Sequence, residues 1–179
     1  MADLIYLMLA SLDGFVADES GNFGWAAPDE ELHRFHNERV RSVKAHFLGR
    51  RLYETMVYWE SDDRAWGEPE REFAEIWQAL PKVVFSATLN SVVGNARLAR
   101  AGIAEEVAAL DGELAVGGAG LAASFIELGL VDEVGLFVSP VVVGGGTPFF
   151  PAGARLDLEL LETRTFASRV VYMRCRRRS

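Results

Sequence analysis

Short apolar runs alternate with amphipathic segments along most of the 179-residue chain, and this alternation constrains the fold more than any other feature. The apolar runs predict buried strands at residues 4–10, 45–48, 83–85, 114–116 and 134–143. Between them, helical spacing predicts a helix opened by Pro28 and others over 50–57, 73–80, 103–110 and 121–130. This order favours an α/β fold with a mostly parallel sheet and helices on both faces.

The end of the chain follows a different pattern. Leu156, Leu158 and Leu160 alternate with acidic residues, which predicts a half-exposed strand, and residues 170–173 can return antiparallel to it. No linker, repeat or low-complexity segment divides the chain. We therefore expect one domain over residues 1–179, whose central sheet ends in an antiparallel C-terminal hairpin.

Charge and composition exclude several classes of protein. The formal net charge of -8 argues against a nucleic-acid-binding protein, and no apolar stretch is long enough to span a membrane. Cys175 is the only cysteine, so no intrachain disulfide can form. Because no basic segment precedes the first apolar run, we expect no secretory signal and a cytoplasmic location. The arginines at 174 and 176–178 are interpreted as a frayed, solvated terminus.

A glycine-rich turn follows the strand predicted at 114–116. Gly117, Gly118, Ala119 and Gly120 stand between that strand and the next helix, where glycines allow a phosphate to approach the free amides of the helix N-terminus. The segment also fits the dinucleotide pattern G-x-G-x-x-A, although an acid does not end the following strand as that pattern requires. A tight turn without a ligand explains the glycines equally well.

Two further strand ends carry candidate ligand-binding residues. Gly49, Arg50 and Arg51 lie between a strand and a helix, where they suit a phosphate, although the arginines can instead pair with nearby glutamates. Ser86 follows the strand at 83–85, where a hydroxyl can meet a ligand or simply form a turn. His33, His36 and His46 specify no metal site, and we interpret them as structural or surface histidines.

In this order, the motifs resemble the dihydrofolate-reductase-like superfamily, and most closely its branch with the reductase domain of riboflavin-biosynthesis deaminase-reductases. The resemblance covers nearly the whole chain. It rests on the segments SLDGFVA at 11–17, GRRLYE at 49–54, VFS at 84–86, VGGAG at 116–120, and LVDE at 130–133 leading to Pro140 and the three glycines at 144–146.

The resemblance implies a three-layer α/β/α reductase that binds NADPH. By the same resemblance, backbone groups of Val16 and Ala17 would meet the nicotinamide carboxamide, and Ser86 would lie near the adenosine ribose. Two segments would hold the phosphates from two sides. One is Gly49 and Arg50, with Arg51 beside them, and the other runs from Gly117 to Gly120. The family often has Thr at Leu52 and Arg at Ala87, so the choice between NADPH and NADH stays open.

Two acids are candidates for the catalytic proton donor. Glu31 lies early in a helix after a Trp-containing loop, and Asp13 lies in the loop expected beside the nicotinamide. Helix-dipole and turn roles explain these two acids as well. We expect a homodimeric reductase that transfers hydride to a small pterin- or pyrimidine-like heterocycle. The alternative is a dinucleotide-binding or regulatory module without catalysis.

Overall fold

Strands and helices alternate in the computed structural model, which describes residues 2–62 and 65–178. The strands are β1 (Ala2–Ser11), β2 (Phe15–Ala17), β3 (Ala45–Gly49), β4 (Lys82–Phe85), β5 (Ala96–Leu98), β6 (Gly112–Gly117), β7 (Glu133–Ser139), β8 (Thr147–Pro148), β9 (Leu158–Thr165) and β10 (Val171–Arg177). The α-helices are α1 (Glu30–Arg41), α2 (Arg50–Met56), α3 (Glu68–Ala79), α4 (Ile103–Ala108) and α5 (Ala119–Glu127). Short 3-10 turns cover Gly24–Ala26 and Val57–Glu60.

One sheet organises the molecule, with the strand order β5-β4-β3-β6-β1-β7-β10-β9. The strands from β5 to β7 in that order are parallel, whereas β10 runs antiparallel to both β7 and β9. The predicted parallel sheet with a closing antiparallel hairpin is thus confirmed. Strands β2 and β8 form a separate antiparallel pair, which the sequence did not predict.

Helices cover both faces of the sheet, because successive residues of each strand point to opposite sides. Leu4 and Tyr6 of β1 pack in the core beneath α4 and α5, together with Phe125 of α5. Ile5, between them in sequence, packs on the opposite face with Phe73 of α3. Helices α1, α2 and α3 cover that second face, which completes the expected three layers. No helix in the described ranges combines the length and apolarity of a membrane span.

Several predicted boundaries were wrong for local reasons. Helix α1 begins at Glu30 rather than at Pro28, because the Asp29 carboxylate accepts a hydrogen bond from the Leu32 backbone N–H at 2.9 Å and caps the helix. Strand β7 ends at Ser139, directly before Pro140, although apolar residues continue to 143.

The C-terminal arginines do not form a frayed end. Arg174 and Arg176 lie in β10, and both donate hydrogen bonds to the Glu133 carboxylate, which is 3% exposed. A bulge opposite Arg174 and Cys175 also interrupts the alternation predicted for β9, and Leu160 is left 56% exposed on this edge strand. The pairing partners are distant in sequence, so the arginine cluster alone did not reveal them.

Candidate active site

The carboxyl ends of the parallel strands meet at one edge of the sheet, and the predicted cofactor-binding residues gather there. Gly49 ends β3, Gly117 ends β6, and Ser86 directly follows β4. Leu48 of β3 pairs with Gly117, so the two glycine turns are neighbours in the sheet. In open α/β sheets, ligands bind at this edge.

Two glycine-capped helices begin side by side at this edge. Gly49 caps α2 and Gly118 caps α5, and neither helix start has a side-chain cap. A Cβ atom placed on Gly49 would lie 3.5 Å from the Leu121 Cβ, and one on Gly118 would lie 3.5 Å from the Leu52 Cβ. Helices α2 and α5 cover opposite faces of the sheet, so their N-termini flank the ends of β3 and β6. Their first-turn amides can bind an anion from two sides.

The glycines of the second turn have different surroundings. Gly118 has a φ of 88°, a conformation that favours glycine, and a Cβ on Gly120 would meet nothing within 4 Å. The start of α5 next to Ala119 is therefore open on this side. A Cβ on Gly117, in contrast, would lie 2.8 Å from the His46 Cε1 and 2.6 Å from the Leu52 Cδ2. Gly117 therefore makes room for neighbouring side chains.

Arg50 connects the start of α2 with the end of β4. Its Nη1 donates a hydrogen bond of 2.6 Å to the Thr88 Oγ1, and its Nε lies 2.8 Å from a Glu54 carboxylate oxygen. The Thr88 Oγ1 lies 3.4 Å from the Ser86 Oγ, which also accepts hydrogen bonds from the backbone N–H groups of Thr88 and Leu89. Arg51 is exposed on the first turn of α2. The cationic side of the site thus combines Arg50 with two hydroxyls.

Asp13 fixes the loop after β1 to the glycine-rich loop after β7. Its carboxylate accepts hydrogen bonds from the backbone N–H groups of Val143, at 3.1 Å, and Gly144, at 2.8 Å. The Ser11 hydroxyl and these two amides lower the pKa of the Asp13 carboxyl. Asp13 is therefore ionised at neutral pH.

Strands β2 and β8 hold Val16 and Ala17 beside the same loop. Phe15 pairs with Pro148 and Ala17 with Thr147, and Val16 between them is buried. The backbone of residues 15–17 is thereby fixed beside β1.

Glu31 lies on another part of the surface. Its carboxylate accepts hydrogen bonds from the Arg164 guanidinium, at 3.1 Å, and from the Ala167 backbone N–H, at 3.2 Å. These bonds lower the pKa of the Glu31 carboxyl, with the Ala167 amide as the largest cause. Glu31 thus connects α1 to the C-terminal hairpin, whereas Asp13 contacts the loops at the sheet edge.

Comparison with known proteins identifies the family. A sequence model of the RibD C-terminal domain matches residues 2–172. The chain belongs to this family. The uncharacterized protein YyaP of Bacillus subtilis is 32% identical over 176 residues, which are 94% of this chain and 91% of YyaP.

Solved structures share the fold of this RibD C-terminal domain. A candidate riboflavin biosynthesis protein from Shewanella sp. PV-4 superposes with a TM-score of 0.79 at 20% identity, and all of both chains is covered. Dihydrofolate reductase from Enterococcus faecalis, complexed with NADP(H), superposes with a TM-score of 0.67 at 13% identity, covering 99% of this chain and 97% of that one. The resemblance found in the sequence is confirmed, and the fold is of the reductase type.

Some residues of this RibD-type site were not chosen from the sequence. Thr88 was not chosen as a site residue, because its contact with Arg50 joins residues 38 positions apart. Gly146 was noted only as one of three glycines, yet a Cβ there would collide with the carbonyl oxygen of Ala17. A run of glycines indicates close backbone approach in general, but it does not show which backbone comes near.

Proposed function

We propose that this protein is an NADPH-dependent reductase that transfers hydride to a small pterin- or pyrimidine-like heterocycle. The observation that carries the proposal is the pair of glycine-capped helix N-termini at the ends of β3 and β6. Two sets of free amides on opposite sides of one strand pair suit the diphosphate of a dinucleotide, since each helix start carries partial positive charge. The membership in the RibD C-terminal domain family supports the same function.

The cofactor phosphates would lie between the two helix starts. In this proposal Gly49, Arg50 and Arg51 bind them from the α2 side, and residues 118–120 bind them from the α5 side. Gly117 contributes indirectly, because it lets Leu52 and His46 pack beneath the turn. The space around Gly120 accommodates the phosphate oxygens.

The phosphorylated cofactor is favoured by the position of Arg50. Ala87 supplies no guanidinium after β4, but Arg50 reaches the Thr88 hydroxyl and lies near Ser86. In this arrangement Arg50, Ser86 and Thr88 would bind the ribose 2′-phosphate, because a guanidinium and hydroxyls are good phosphate partners.

The reacting end of the cofactor would lie against β2. When bound, NADPH supplies the hydride. The backbone groups of Val16 and Ala17 would hydrogen-bond the carboxamide and fix the orientation of the nicotinamide ring, and the pairing of β2 with β8 keeps that backbone in place.

Asp13 is our first candidate for the group that orients or protonates the substrate, and Glu31 is the second. Both carboxyl groups have lowered pKa values, so each is an acceptor at neutral pH. Proton donation by Asp13 therefore requires its pKa to rise when substrate displaces water from the site, which desolvation of a carboxylate produces. Glu31 would have to break its ion pair with Arg164 before it could act on a substrate.

Calorimetric titration with NADPH, NADP⁺, NADH and NAD⁺ tests the proposal. We expect the strongest binding for NADPH and about tenfold weaker binding in Arg50→Gln, from the loss of a charge-assisted hydrogen bond. Arg34→Gln is the matched control, because Arg34 is also exposed and pairs with a glutamate one turn away. Failure of all four dinucleotides to bind at millimolar concentration would refute the proposed function.

A dinucleotide-binding module without catalysis is the alternative. The lowered pKa values of Asp13 and Glu31 favour it, because neither acid has a proton ready at neutral pH. NADPH binding without NADPH oxidation, across a panel of pterins and pyrimidines, would support the module. Oxidation with any of them, reduced in Asp13→Asn, would support the reductase.

A further inference from the structure

The core on the sheet face that carries α1, α2 and α3 is divided in two, and we call the region between its two parts the cleft. The apolar side chains there form two separate clusters, one containing Phe73 of α3 and the other containing Phe35 of α1. Leu7 of the central strand β1 packs against both clusters. Leu7 and Leu9 nevertheless stay partly exposed, although strands flank β1 on both sides. The helical layer is therefore open above the centre of the sheet.

Two histidines line this cleft. The His36 ring of α1 lies 5.6 Å from the Phe73 ring and 5.7 Å from the Phe137 ring, so it bridges the two clusters. The His46 ring of β3 lies 5.6 Å from the Trp77 ring. Both histidines are surrounded by protein, and yet part of each remains accessible to solvent. This combination is typical of side chains in a narrow cleft.

The cleft reaches the cofactor edge through His46. Its Cε1 would lie 2.8 Å from a Cβ on Gly117, the residue that ends β6 between the two helix starts. Only the absence of a side chain at Gly117 allows the ring to occupy this place. The His46 Nδ1 is buried and has no hydrogen-bond partner among the described residues. A buried polar atom of this kind normally has a partner, and a ligand in the cleft can supply one.

Both imidazoles are neutral over the physiological range. Burial lowers the pKa of each to about 4. His33 adds a smaller lowering effect on His36, and His36 and then Lys82 add smaller lowering effects on His46. A neutral imidazole presents one N–H donor and one nitrogen acceptor, and it cannot neutralise a cation. The Lys82 ammonium, whose charge also lowers the pKa of His46, is paired with the Glu60 carboxylate at 3.2 Å.

We propose that His36 and His46 determine substrate specificity by binding the ring of the substrate in this cleft and by selecting an uncharged planar heterocycle over a cationic one. The preferred ring edge carries adjacent N–H and C=O groups, because these match the acceptor and the donor of an imidazole. A protonated ring would lose its hydration in the cleft, and a neutral imidazole offers it no opposite charge. This inference rests on the proposed reductase function and specifies how that site chooses its substrate.

The probes are pterin, which is neutral and has such an edge, and diaminopteridine in its protonated form. Binding is followed by pteridine fluorescence, with and without NADPH. We expect pterin to bind at least about tenfold more tightly than the cation. His36→Phe should weaken pterin binding about tenfold and leave NADPH affinity unchanged. His46→Leu should also weaken pterin binding about tenfold. His46→Gln, which keeps a donor and an acceptor, should retain part of the pterin affinity.

His33→Phe is the matched control, because His33 is on the same helix and its ring contacts Trp59 and Phe73. It should leave pterin binding unchanged, and NADPH titration and circular dichroism show whether each variant is folded. Equal binding of pterin and the cation, or pterin binding that does not depend on His36 and His46, overturns the inference even where NADPH binds. If NADPH does not bind but pterin is preferred through the two histidines, only the proposed reductase function is overturned. If neither NADPH binding nor that preference for pterin is found, the reductase function and the inference are both overturned.

Discussion

Gly146 is the glycine whose replacement should most disturb the candidate site. Its φ is 129°, and a Cβ there would lie 2.5 Å from the carbonyl carbon of Asp18, 2.7 Å from the Asp18 Cα, and closer still to the Ala17 carbonyl oxygen. The positive φ costs about 1–2 kcal/mol in a residue other than glycine. Relief of the collision must also move residue 17 away from Thr147, with loss of backbone hydrogen bonds between β2 and β8 at about 1 kcal/mol each.

For Gly146→Ala we therefore expect a loss of about 3 kcal/mol in the free energy of unfolding, measured by urea denaturation. In a domain of this size, that loss lowers Tm by about 6–12 °C. NADPH affinity should fall in the same variant, because the backbone of Val16 and Ala17, which we propose to bind the nicotinamide, would be displaced. Calorimetric titration below the new Tm measures this effect.

Gly144→Ala is the control for the collision. Gly144 also has a positive φ, 81°, but a Cβ there would meet nothing within 4 Å. The Gly144→Ala variant should lose only about 1–2 kcal/mol in the free energy of unfolding and keep its NADPH affinity. Equal stability and equal cofactor affinity in the two variants would refute the reasoning, because the backbone contact of Gly146 would then have no consequence.

Three further predictions concern buried ionisable groups. The Arg97 guanidinium and two backbone amides hold the pKa of Glu106 at about 2, below its unfolded value. The ionised carboxylate therefore stabilises the folded protein above about pH 4.5, and this stabilisation is lost as pH falls towards 2. Glu106→Gln should cost about 2 kcal/mol at neutral pH and flatten the acid limb of the stability curve; an unchanged limb contradicts this. Lys82→Met should cost about 3 kcal/mol, because the partly buried Glu60 carboxylate loses its partner, and Glu60→Gln in the same chain should recover part of the loss in urea titrations. Burial raises the pKa of the Cys175 thiol, so a thiol reagent should label native protein far more slowly than urea-unfolded protein, and equal rates would contradict its buried position.

The fold was largely predictable because its elements depend on local periodicity. The helix predicted around Phe73 and Trp77 forms as α3, and the buried strands at 4–10, 45–48, 83–85 and 114–116 all form. Strand β5 was missed because it has only three residues, all partly exposed, which leaves no pattern to detect. Strands β2 and β8 were missed because each is stabilised by the other, across about 130 residues of chain.

The candidate site was predictable in its position but not in its contacts. Glycines after β3 and β6 indicated two turns at a common sheet edge, and the structure brings them together. The sequence did not show that these glycines differ in their surroundings, since Gly120 leaves open space whereas Gly117 accommodates Leu52 and His46. His46 was interpreted as a structural or surface histidine because nothing in the sequence specifies a metal site.

The sequence by itself determined the α/β class, the parallel order and the glycine turns at strand ends, since these follow from periodicity and backbone freedom within short segments. Only the tertiary structure decided how residues far apart in sequence are used. It places Arg50 beside Thr88, ties Asp13 to Gly144, and gives Arg174 a buried partner in Glu133. Such contacts depend on which strands become neighbours, and packing of the whole chain sets that order.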